Sequence, residues 1–312
     1  MSAPAPIISI VGATATGKSD LALDLAERLD GEIINSDSMQ FYRGMDIGTA
    51  KLPVSERRGV PHHLIDILDV TEEATVQAFQ TAAREAIADI RTRGRRPILV
   101  GGSGLYARAA TDHMEFPGTD PAVRARIEAE VAADRWAAHH RLADLDPVAA
   151  EKIGTGDARR IVRALEVIEL TGRPFSASLP DYTEIEPTIH LGLGVDRATL
   201  HARIATRVAR MWEAGWVDEV RTLLGQGLAR GRTASRAIGY AQIQEHLAGT
   251  MSAAAAQEST TVRTRQFARR QDTWFRRDPR ITWIDMSEAG TAAPESPGSP
   301  LNRALEIVRM EA

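Results

Sequence analysis

The sequence predicts an α/β fold in which helices flank a central parallel sheet and an all-helical insertion interrupts the chain. Over the first 110 residues, short apolar runs alternate with amphipathic helical segments, as parallel βαβ units require. From Pro121 to about Gly172 the pattern is helical, with abundant alanine and arginine. Strand-like runs return after residue 188. We therefore predict a core formed by 1–113 and 188–312, with an insertion domain at 114–187.

The first βα unit begins close to the start of the chain. Ile7–Val11 (IISIV) is apolar and rich in β-branched residues, which favours a buried parallel strand. A glycine-bearing loop separates this strand from a helix predicted at 19–29, in which leucines recur on one face. Gly31 is expected to end the helix. The second strand is predicted at Glu32–Asn35.

The remaining elements follow from the same patterns. We predict strands at 97–100, 190–195 and 281–284, and helices at 76–93, 198–214, 217–224, 238–248 and 260–276. His62 and His63 are adjacent, so an edge strand is favoured over a shared metal site. The Pro/Gly-rich stretch 288–300 is typical of a linker, and a short terminal helix is expected after it.

Composition narrows the class of protein. Of 312 residues, 43% are hydrophobic and 26% charged, which is the range of globular proteins. No apolar run approaches the roughly 20 residues of a membrane span, and no secretory segment is visible, so we expect a cytoplasmic protein without a membrane partner. The absence of cysteine excludes disulfides and cysteine zinc sites.

Residues 12–19 (GATATGKS) match the phosphate-loop (P-loop) pattern G-x-x-x-x-G-K-S/T between a strand and a helix. Backbone amides and the helix N-terminus bind phosphate oxygens there, Lys18 adds a charge, and the Ser19 hydroxyl can hold Mg²⁺. We predict that a pyrophosphate-bearing ligand is bound by Gly12, Ala13, Thr14, Ala15, Thr16, Gly17, Lys18 and Ser19. A GTPase is disfavoured because no N-K-x-D motif is found, whereas a small-molecule kinase stays open.

Two further strand ends face the predicted ligand crevice. Asp37 follows the second strand, where carboxyl ends of parallel strands meet the ligand. Its alternative role is an N-cap or turn residue. Ser103 lies in the glycine-rich segment Gly101–Gly104, which either approaches a ligand closely or simply makes a tight turn.

A basic segment stands out against the net charge of −4. Between 263 and 280 there are seven arginines and two aspartates, a net charge of +5 in eighteen residues. This segment is either a footprint for nucleic-acid phosphates or a solvated helix face.

Taken together, these motifs resemble the tRNA dimethylallyltransferases (isopentenyl transferases) over nearly the whole chain. The matching segments are GATATGKS at 12–19, DSMQFYRGMDIGTAK at 37–51, PHHLID at 61–66, LVGGSGLY at 99–106, DPAVRARIE at 120–128, DARRIVRALEV at 157–167, AIGYAQI at 237–243 and TRQFARRQDTWFRR at 264–277. The blocks at 37–51 and 264–277 are the most specific.

The resemblance implies a P-loop core, dimethylallyl pyrophosphate as donor, Mg²⁺ as cofactor and the adenosine 3′ of the anticodon as acceptor. It implies catalytic roles for Asp37, Ser103 and Arg207. It implies contacts with the tRNA anticodon stem-loop by Asp37, Ser38, Met39, Gln40, Ser103, Arg124, Arg159, Arg160, Arg163, Arg236, Gly239, Tyr240, Arg269, Arg270, Trp274 and Arg276. We expect a monomer.

Two positions depart from the family pattern, which usually has threonine at Ser103 and lysine at Arg269. The hydroxyl and the charge are both kept. Three rival functions stay open: an adenylate isopentenyltransferase acting on a free nucleotide, a small-molecule kinase, and a non-catalytic tRNA-binding module.

Overall fold

Two compact units make up the chain, Met1–Thr111 with Glu184–Ala312, and Asp112–Thr183. The computed structural model describes residues 5–178, 182–287, 296 and 298–311. The second unit lies where an insertion was expected, but it begins two residues earlier and ends four residues earlier than 114–187. Glu184 already belongs to the first unit, where its carboxylate is 2.9 Å from His190 Nε2 and 3.3 Å from an Arg280 nitrogen.

A six-stranded parallel sheet organises the first unit. Its strands are β1 (Ile7–Gly12), β2 (Gly31–Asn35), β3 (His62–His63), β4 (Arg96–Gly101), β5 (Thr188–Gly194) and β6 (Thr282–Asp285). They lie in the order β3-β2-β4-β1-β5-β6, and all pairings are parallel. The predicted α/β class is confirmed, and His62 and His63 do form the edge strand.

Helices flank this sheet and form the second unit. In chain order the described helices are α1 (Lys18–Leu29), α2 (Val76–Thr92), α3 (Gly104–Thr111), α4 (Pro121–Ala133), α5 (Arg135–Leu145), α6 (Pro147–Lys152), α7 (Ala158–Thr171), α8 (Arg197–Glu213), α9 (Trp216–Gly225), α10 (Tyr240–Leu247), α11 (Ala253–Phe275) and α12 (Pro300–Glu311). None of them combines the length and apolar character of a membrane span.

The structure corrects one predicted helix cap and one predicted helix start. α1 ends at Leu29, as predicted, but its C-cap is Asp30, which adopts the left-handed conformation with φ 49°, whereas Gly31 already belongs to β2. α11 begins seven residues before the predicted Thr260, because Ser252 caps it by accepting a hydrogen bond from the Ala255 amide. Most of the predicted linker at 288–300 lies outside the described residues.

The core of the first unit surrounds the sheet on both faces. On one face, Ile8, Ile10 and Leu191 are fully buried and pack with Leu25 of α1 in one cluster, and Ile7, on the opposite face, is also fully buried. Burial on both faces explains why the strand sequences are continuous apolar runs and do not alternate between apolar and polar residues. Such a sheet holds its carboxyl ends rigidly, which fixes the loops that follow β1, β2 and β4.

Aspartate caps define the helices of the second unit. The N-caps of α4 to α7 are Asp120, Asp134, Asp146 and Asp157, and each accepts a hydrogen bond from an amide of its helix. Each such cap contributes about 1 kcal/mol. Ile127, Leu142, Ile161 and Leu165 are fully buried at the centre of these helices, which gives the unit its own core.

Candidate functional site

The loop between β1 and α1 closes on itself around a carbonyl group. Lys18 Nζ donates to the Ala13 carbonyl at 2.6 Å, and Thr16 Oγ1 donates to the same oxygen at 2.9 Å. Ala15 and Gly17 have φ values of 64° and 91°, so the chain turns through the left-handed region twice. This geometry is that of an anion-binding loop at a helix N-terminus, as the sequence predicts.

A cavity of about 1530 Å³ opens at this loop, at the carboxyl ends of the strands. Its wall includes Asp37 after β2 and Gly102 after β4. The opposite wall comes from α8, through Arg203, Arg207 and Arg210. A cavity of this size, with several cationic groups around a phosphate loop, suits an anionic substrate.

Lys18, Asp37 and Arg207 interact electrostatically in this cavity. Burial lowers the pKa of Lys18 to about 8, assisted by the positive charge of Arg207 and opposed by the charge of Asp37. Burial also raises the pKa of Asp37, and this effect outweighs the Met39 hydrogen bond and the charges of Lys18 and Arg207, which lower it. Burial lowers the pKa of Arg207. The carboxylate is therefore more basic than usual, which suits a proton acceptor.

Asp37 caps a turn and also lines the cavity. Its Oδ1 accepts a hydrogen bond from the Met39 amide at 3.0 Å and so caps a 3₁₀ turn at Ser38–Phe41. Asn35 fixes the backbone that leads into Asp37. Its Oδ1 accepts a hydrogen bond from the Asp37 amide and its Nδ2 donates one to the Leu64 carbonyl, both at 2.9 Å. The cap fixes a carboxylate that also lines the cavity.

The glycine-rich turn after β4 is crowded on three sides. A Cβ atom at Gly101 would lie 2.2 Å from Ser36 Oγ, and one at Gly102 would lie 2.3 Å from Gln271 Nε2. At Gly104 it would lie 2.0 Å from the Trp274 ring. Glycine is required here for close approach. The half-buried Ser103 sits between these contacts.

The described residues contain no group of three His, Cys, Asp or Glu side chains placed to hold a metal ion. A phosphate-loop Mg²⁺ does not need such a cage, because it keeps water and phosphate oxygens as most of its ligands. Ser19 is exposed and its side chain lines the cavity beside Lys18. The oxygen donor of Ser19 therefore fits the predicted Mg²⁺ site.

Lys51 organises the cavity wall formed by residues 46–53. Its side chain is 4% exposed, and Nζ lies 2.6 Å from Asp46 Oδ1 and 2.5 Å from Asp66 Oδ1. It also donates to the Tyr42 carbonyl at 2.9 Å.

Glu219 of α9 holds the same segment from the other side. Its carboxylate accepts hydrogen bonds from the amides of Asp46 at 3.0 Å and Ile47 at 2.7 Å. The Tyr240 hydroxyl donates to it at 2.6 Å, and the pKa of Tyr240 is raised by burial and by this charge. Tyr240 is fully buried, so its side chain contacts protein rather than solvent. A Cβ at Gly239 would meet the Trp216 ring at 1.8 Å.

The four arginines predicted in the insertion divide into two pairs. Arg159 and Arg160 are exposed at the start of α7. Arg124 and Arg163 both contact Glu166, whose side chain is fully buried, at 3.2 and 2.8 Å. The first pair is accessible to solvent, whereas the second stabilises the packing of α4 on α7.

The predicted basic surface lies on α11. A cavity of about 470 Å³ is lined there by Gln266, Arg269, Arg270, Thr273, Trp274 and Arg277. Arg276 is exposed, pairs with Asp272 at 2.9 Å and stacks over the Trp283 ring at 4.7 Å. Arg236 is exposed in the 3₁₀ turn before α10. Ser38, Met39 and Gln40 are half-buried in the 3₁₀ turn after Asp37.

Gln271, Glu219 and Glu166 were not identified from sequence as parts of the site. Gln271 and Glu219 have partners far away in the chain, so periodicity gives no indication of them, whereas Glu166 has Arg163 one turn away on the same helix. The clue available for Gln271 was its place, one turn from Trp274 within the specific block at 264–277.

Comparison with known proteins gives one consistent result. A family model described as IPP transferase matches residues 40–278. The chain is 60% identical over 287 residues to a tRNA dimethylallyltransferase of Nocardioides sp. (strain ATCC BAA-499 / JS614), covering 91% of this chain and 93% of the relative. It is 59% identical over 283 residues to that of Streptomyces coelicolor, covering 90% and 91%.

Solved structures agree with these sequence matches. The crystal structure of the full-length tRNA isopentenylpyrophosphate transferase from Bacillus halodurans superposes with a TM-score of 0.71 at 38% identity, covering 98% of this chain and 97% of that chain. A eukaryotic dimethylallyltransferase acting on tRNA gives a TM-score of 0.83 at 29% identity, covering 96% and 78%.

Proposed function

The chain belongs to the IPP transferase family, and from this premise we propose that it is a tRNA dimethylallyltransferase. It transfers a dimethylallyl group from dimethylallyl pyrophosphate to the N6 amine of the adenosine 3′ of the anticodon. The products are N6-isopentenyladenosine in tRNA and pyrophosphate. The observation that supports this function best is the meeting of a phosphate loop, Asp37 and Arg207 in one cavity.

Breaking the allylic C–O bond requires that the departing pyrophosphate be stabilised. The amides of the phosphate loop and the side chains of Lys18 and Arg207 supply positive potential at that position. Arg207 NH1 lies 3.5 Å from Thr14 Oγ1, so the guanidinium reaches the loop itself. As the bond breaks, the allylic carbon gains cationic character and the bonding electron pair leaves with the pyrophosphate.

The adenine amine is a weak nucleophile because its lone pair is delocalised into the ring. Asp37 accepts a hydrogen bond from this amine, orients the lone pair and takes the proton as the C–N bond forms. The raised pKa of Asp37 favours this transfer. The base is stacked in the anticodon loop, so it must be flipped into the cavity at a cost of about a few kcal/mol.

Ser19 is the residue that would hold Mg²⁺, together with oxygens of the donor. A bound ion would supply positive charge that neutralises the pyrophosphate. Lys18 lies next to Ser19 and acts on the same oxygens. Ser103, with its hydroxyl beside the glycine turn, is proposed to contact the acceptor nucleotide.

The exposed arginines are proposed to offset the cost of base flipping through contacts with tRNA phosphates. Arg159 and Arg160 provide them in the insertion, and Arg269 and Arg270 on α11. The loop, Asp37 and Arg207 come from one chain, which supports a monomer as the active form. We expect it to act in the cytoplasm, where tRNA is found.

The test is incubation of the purified protein with labelled dimethylallyl pyrophosphate, Mg²⁺ and an anticodon stem-loop, followed by nucleoside analysis. Label on N6 of the adenosine 3′ of the anticodon is expected. A stem-loop with guanosine at that position is the matched control and should acquire none.

Parallel reactions separate the rival functions. Label on AMP but not on RNA would replace this function by an adenylate isopentenyltransferase. Transfer of phosphate from ATP without use of the allylic donor would replace it by a kinase. RNA binding without any prenyl transfer in a single-turnover reaction would indicate that the protein is a non-catalytic tRNA-binding module.

A further inference from the structure

Gln271 of α11 links the phosphate loop to the turn that carries Ser103. Its Oε1 accepts a hydrogen bond from the Thr14 amide at 2.9 Å, and its Nε2 donates to the Gly102 carbonyl at 2.8 Å. The residue is 7% exposed. One primary amide thus joins two loops that follow different strands, β1 and β4.

The amide side chain of Gln271 makes both of these bonds at once. The acceptor for Thr14 and the donor for Gly102 must sit on one planar group, and glutamine provides an oxygen and an NH₂ in that arrangement. Glutamate would repel the Gly102 carbonyl, and leucine would leave both backbone groups unpaired. Buried backbone groups without partners are costly, so the choice of residue is tightly constrained.

The helix that carries Gln271 also carries the exposed arginines of the proposed RNA surface. One turn on, Trp274 packs against Gly104, and a Cβ there would be 2.0 Å from its ring. Gln271 and Trp274 therefore press on the two glycines that flank Ser103. α11 fixes the turn from one side while its other face remains open to solvent.

We propose that Gln271 is a positioning residue that fixes the spacing between the pyrophosphate-binding loop and the Ser103 turn. This inference rests on the proposed function, in which the loop binds the donor and Ser103 meets the acceptor. Gln271 acts through Thr14 and Gly102. Its effect is to pre-order the loop before the ligand arrives, which reduces the entropy lost on binding.

The main test compares Gln271→Leu with Gln257→Leu. Gln257 lies on the same helix, about 21 Å away along the axis by the rise per residue. For Gln271→Leu we expect kcat for prenyl transfer to fall at least about tenfold, the effect of losing one good hydrogen bond. The KM for the stem-loop should change less than about twofold, because the arginines of α11 are intact. Gln257→Leu should match the wild type.

Affinity for inorganic pyrophosphate is measured in parallel by calorimetry, without RNA. Gln271→Leu should bind it about fivefold or more weakly, since the loop must now be ordered on binding. Because this measurement needs no prenyl transfer, it is informative even if the wild type fails to modify tRNA and the proposed function is wrong. Unchanged pyrophosphate affinity and an unchanged kcat, in a folded variant, would overturn the positioning role.

A second variant changes the other partner of the hydrogen bond between Gln271 and Gly102. In Gly102→Ala, the new Cβ would meet Gln271 Nε2 at 2.3 Å and displace the amide. Pyrophosphate affinity should therefore drop, whereas Gly225→Ala, where nothing lies within 4 Å, should not affect it. In the Gln271→Ala background the same substitution should cost less, because the amide is already absent. Reductions that simply multiply in the double variant would show that the two residues act independently.

Discussion

At the scale of single residues, Asp37 combines a backbone cap with a basic carboxylate. Asp37→Asn keeps an Oδ1 acceptor for the Met39 amide and the size of the side chain, but removes the proton acceptor. We expect kcat to fall by about 10²–10⁴, the usual contribution of a general base. Single-turnover prenylation of a stem-loop measures this decrease.

The control for Asp37→Asn is pyrophosphate binding by the same protein. Removal of one negative charge from the cavity should leave that affinity equal or tighter. Equal unfolding midpoints for variant and wild type would confirm that the cap survives. If the variant kept half of the wild-type kcat, Asp37 would have no place in proton transfer.

The pKa of Lys18 makes donor use dependent on pH. Lys18 must carry its proton to bind pyrophosphate, and a pKa lowered to about 8 means that this charge is lost as pH rises through about 8. We therefore expect kcat/KM for the donor to decrease above about pH 8, since this ratio reports the free enzyme. On the acid side, it should rise as Asp37 loses its proton.

Lys18→Arg provides the matched control for this pH profile. Arginine stays charged across the range, so the decrease above about pH 8 should disappear, even if the altered shape of the side chain lowers activity throughout. A decrease that persists unchanged in Lys18→Arg would assign the alkaline limb to another group.

At the scale of elements, α9 stabilises the cavity wall at 46–53 through one carboxylate. Glu219→Gln introduces an NH₂ group where the Asp46 and Ile47 amides and the Tyr240 hydroxyl all donate, so at least one donor loses its acceptor. We expect about 1–3 kcal/mol less free energy of unfolding, measured by denaturant titration, and a lower kcat.

Asp218→Asn is the control for that substitution. It changes the neighbouring acid on α9, whose side chain is 77% exposed and pairs only with Arg221 among the contacts that the structure describes for it. Its effect on unfolding should stay within about 0.5 kcal/mol. A similar destabilisation in both variants would mean that general charge on α9, and not the anchoring of the wall, is responsible.

The elements of the fold could be predicted from the sequence more completely than the contacts of the candidate site. The apolar run of β1, the loop after it and the leucines of α1 lie next to each other in the chain, so local pattern is enough to predict them. The roles of Gln271 and Glu219 depend on partners 257 and 173 residues away. Hydrogen bonds of that sequence separation leave no periodic trace, and only the folded sheet brings their partners together.

The same reasoning applies to Asp37. Its position after β2 predicted a place near the phosphate loop, and the structure puts both in one cavity. Its raised pKa could not be predicted, because it follows from burial in the folded cavity, which outweighs the lowering effect of Lys18 and of Arg207 from α8. Tyr240 shows the opposite case, since a residue expected at the RNA surface is packed inside.

At the scale of the whole molecule, a net charge of −4 coexists with local basic surfaces. Each of the two compact units contributes one, with Arg160 exposed on α7 and Arg269 exposed on α11. Overall repulsion of RNA is therefore compatible with local attraction within a Debye length of about 8–10 Å. Affinity for tRNA should then depend strongly on salt.

The salt dependence of stem-loop binding tests which arginines contact RNA phosphates. Each arginine that no longer pairs with an RNA phosphate should make the slope of log K against log salt shallower by about 0.7–0.9. We expect this change in Arg160→Ala and in Arg269→Ala, and their sum in the double variant, measured by binding of the anticodon stem-loop at several salt concentrations. Arg309→Ala, an exposed arginine on α12, should leave the slope unchanged, and Arg269→Lys should keep it because the charge is retained. If the double variant showed only the change of one single variant, just one of the two units would contact RNA phosphates.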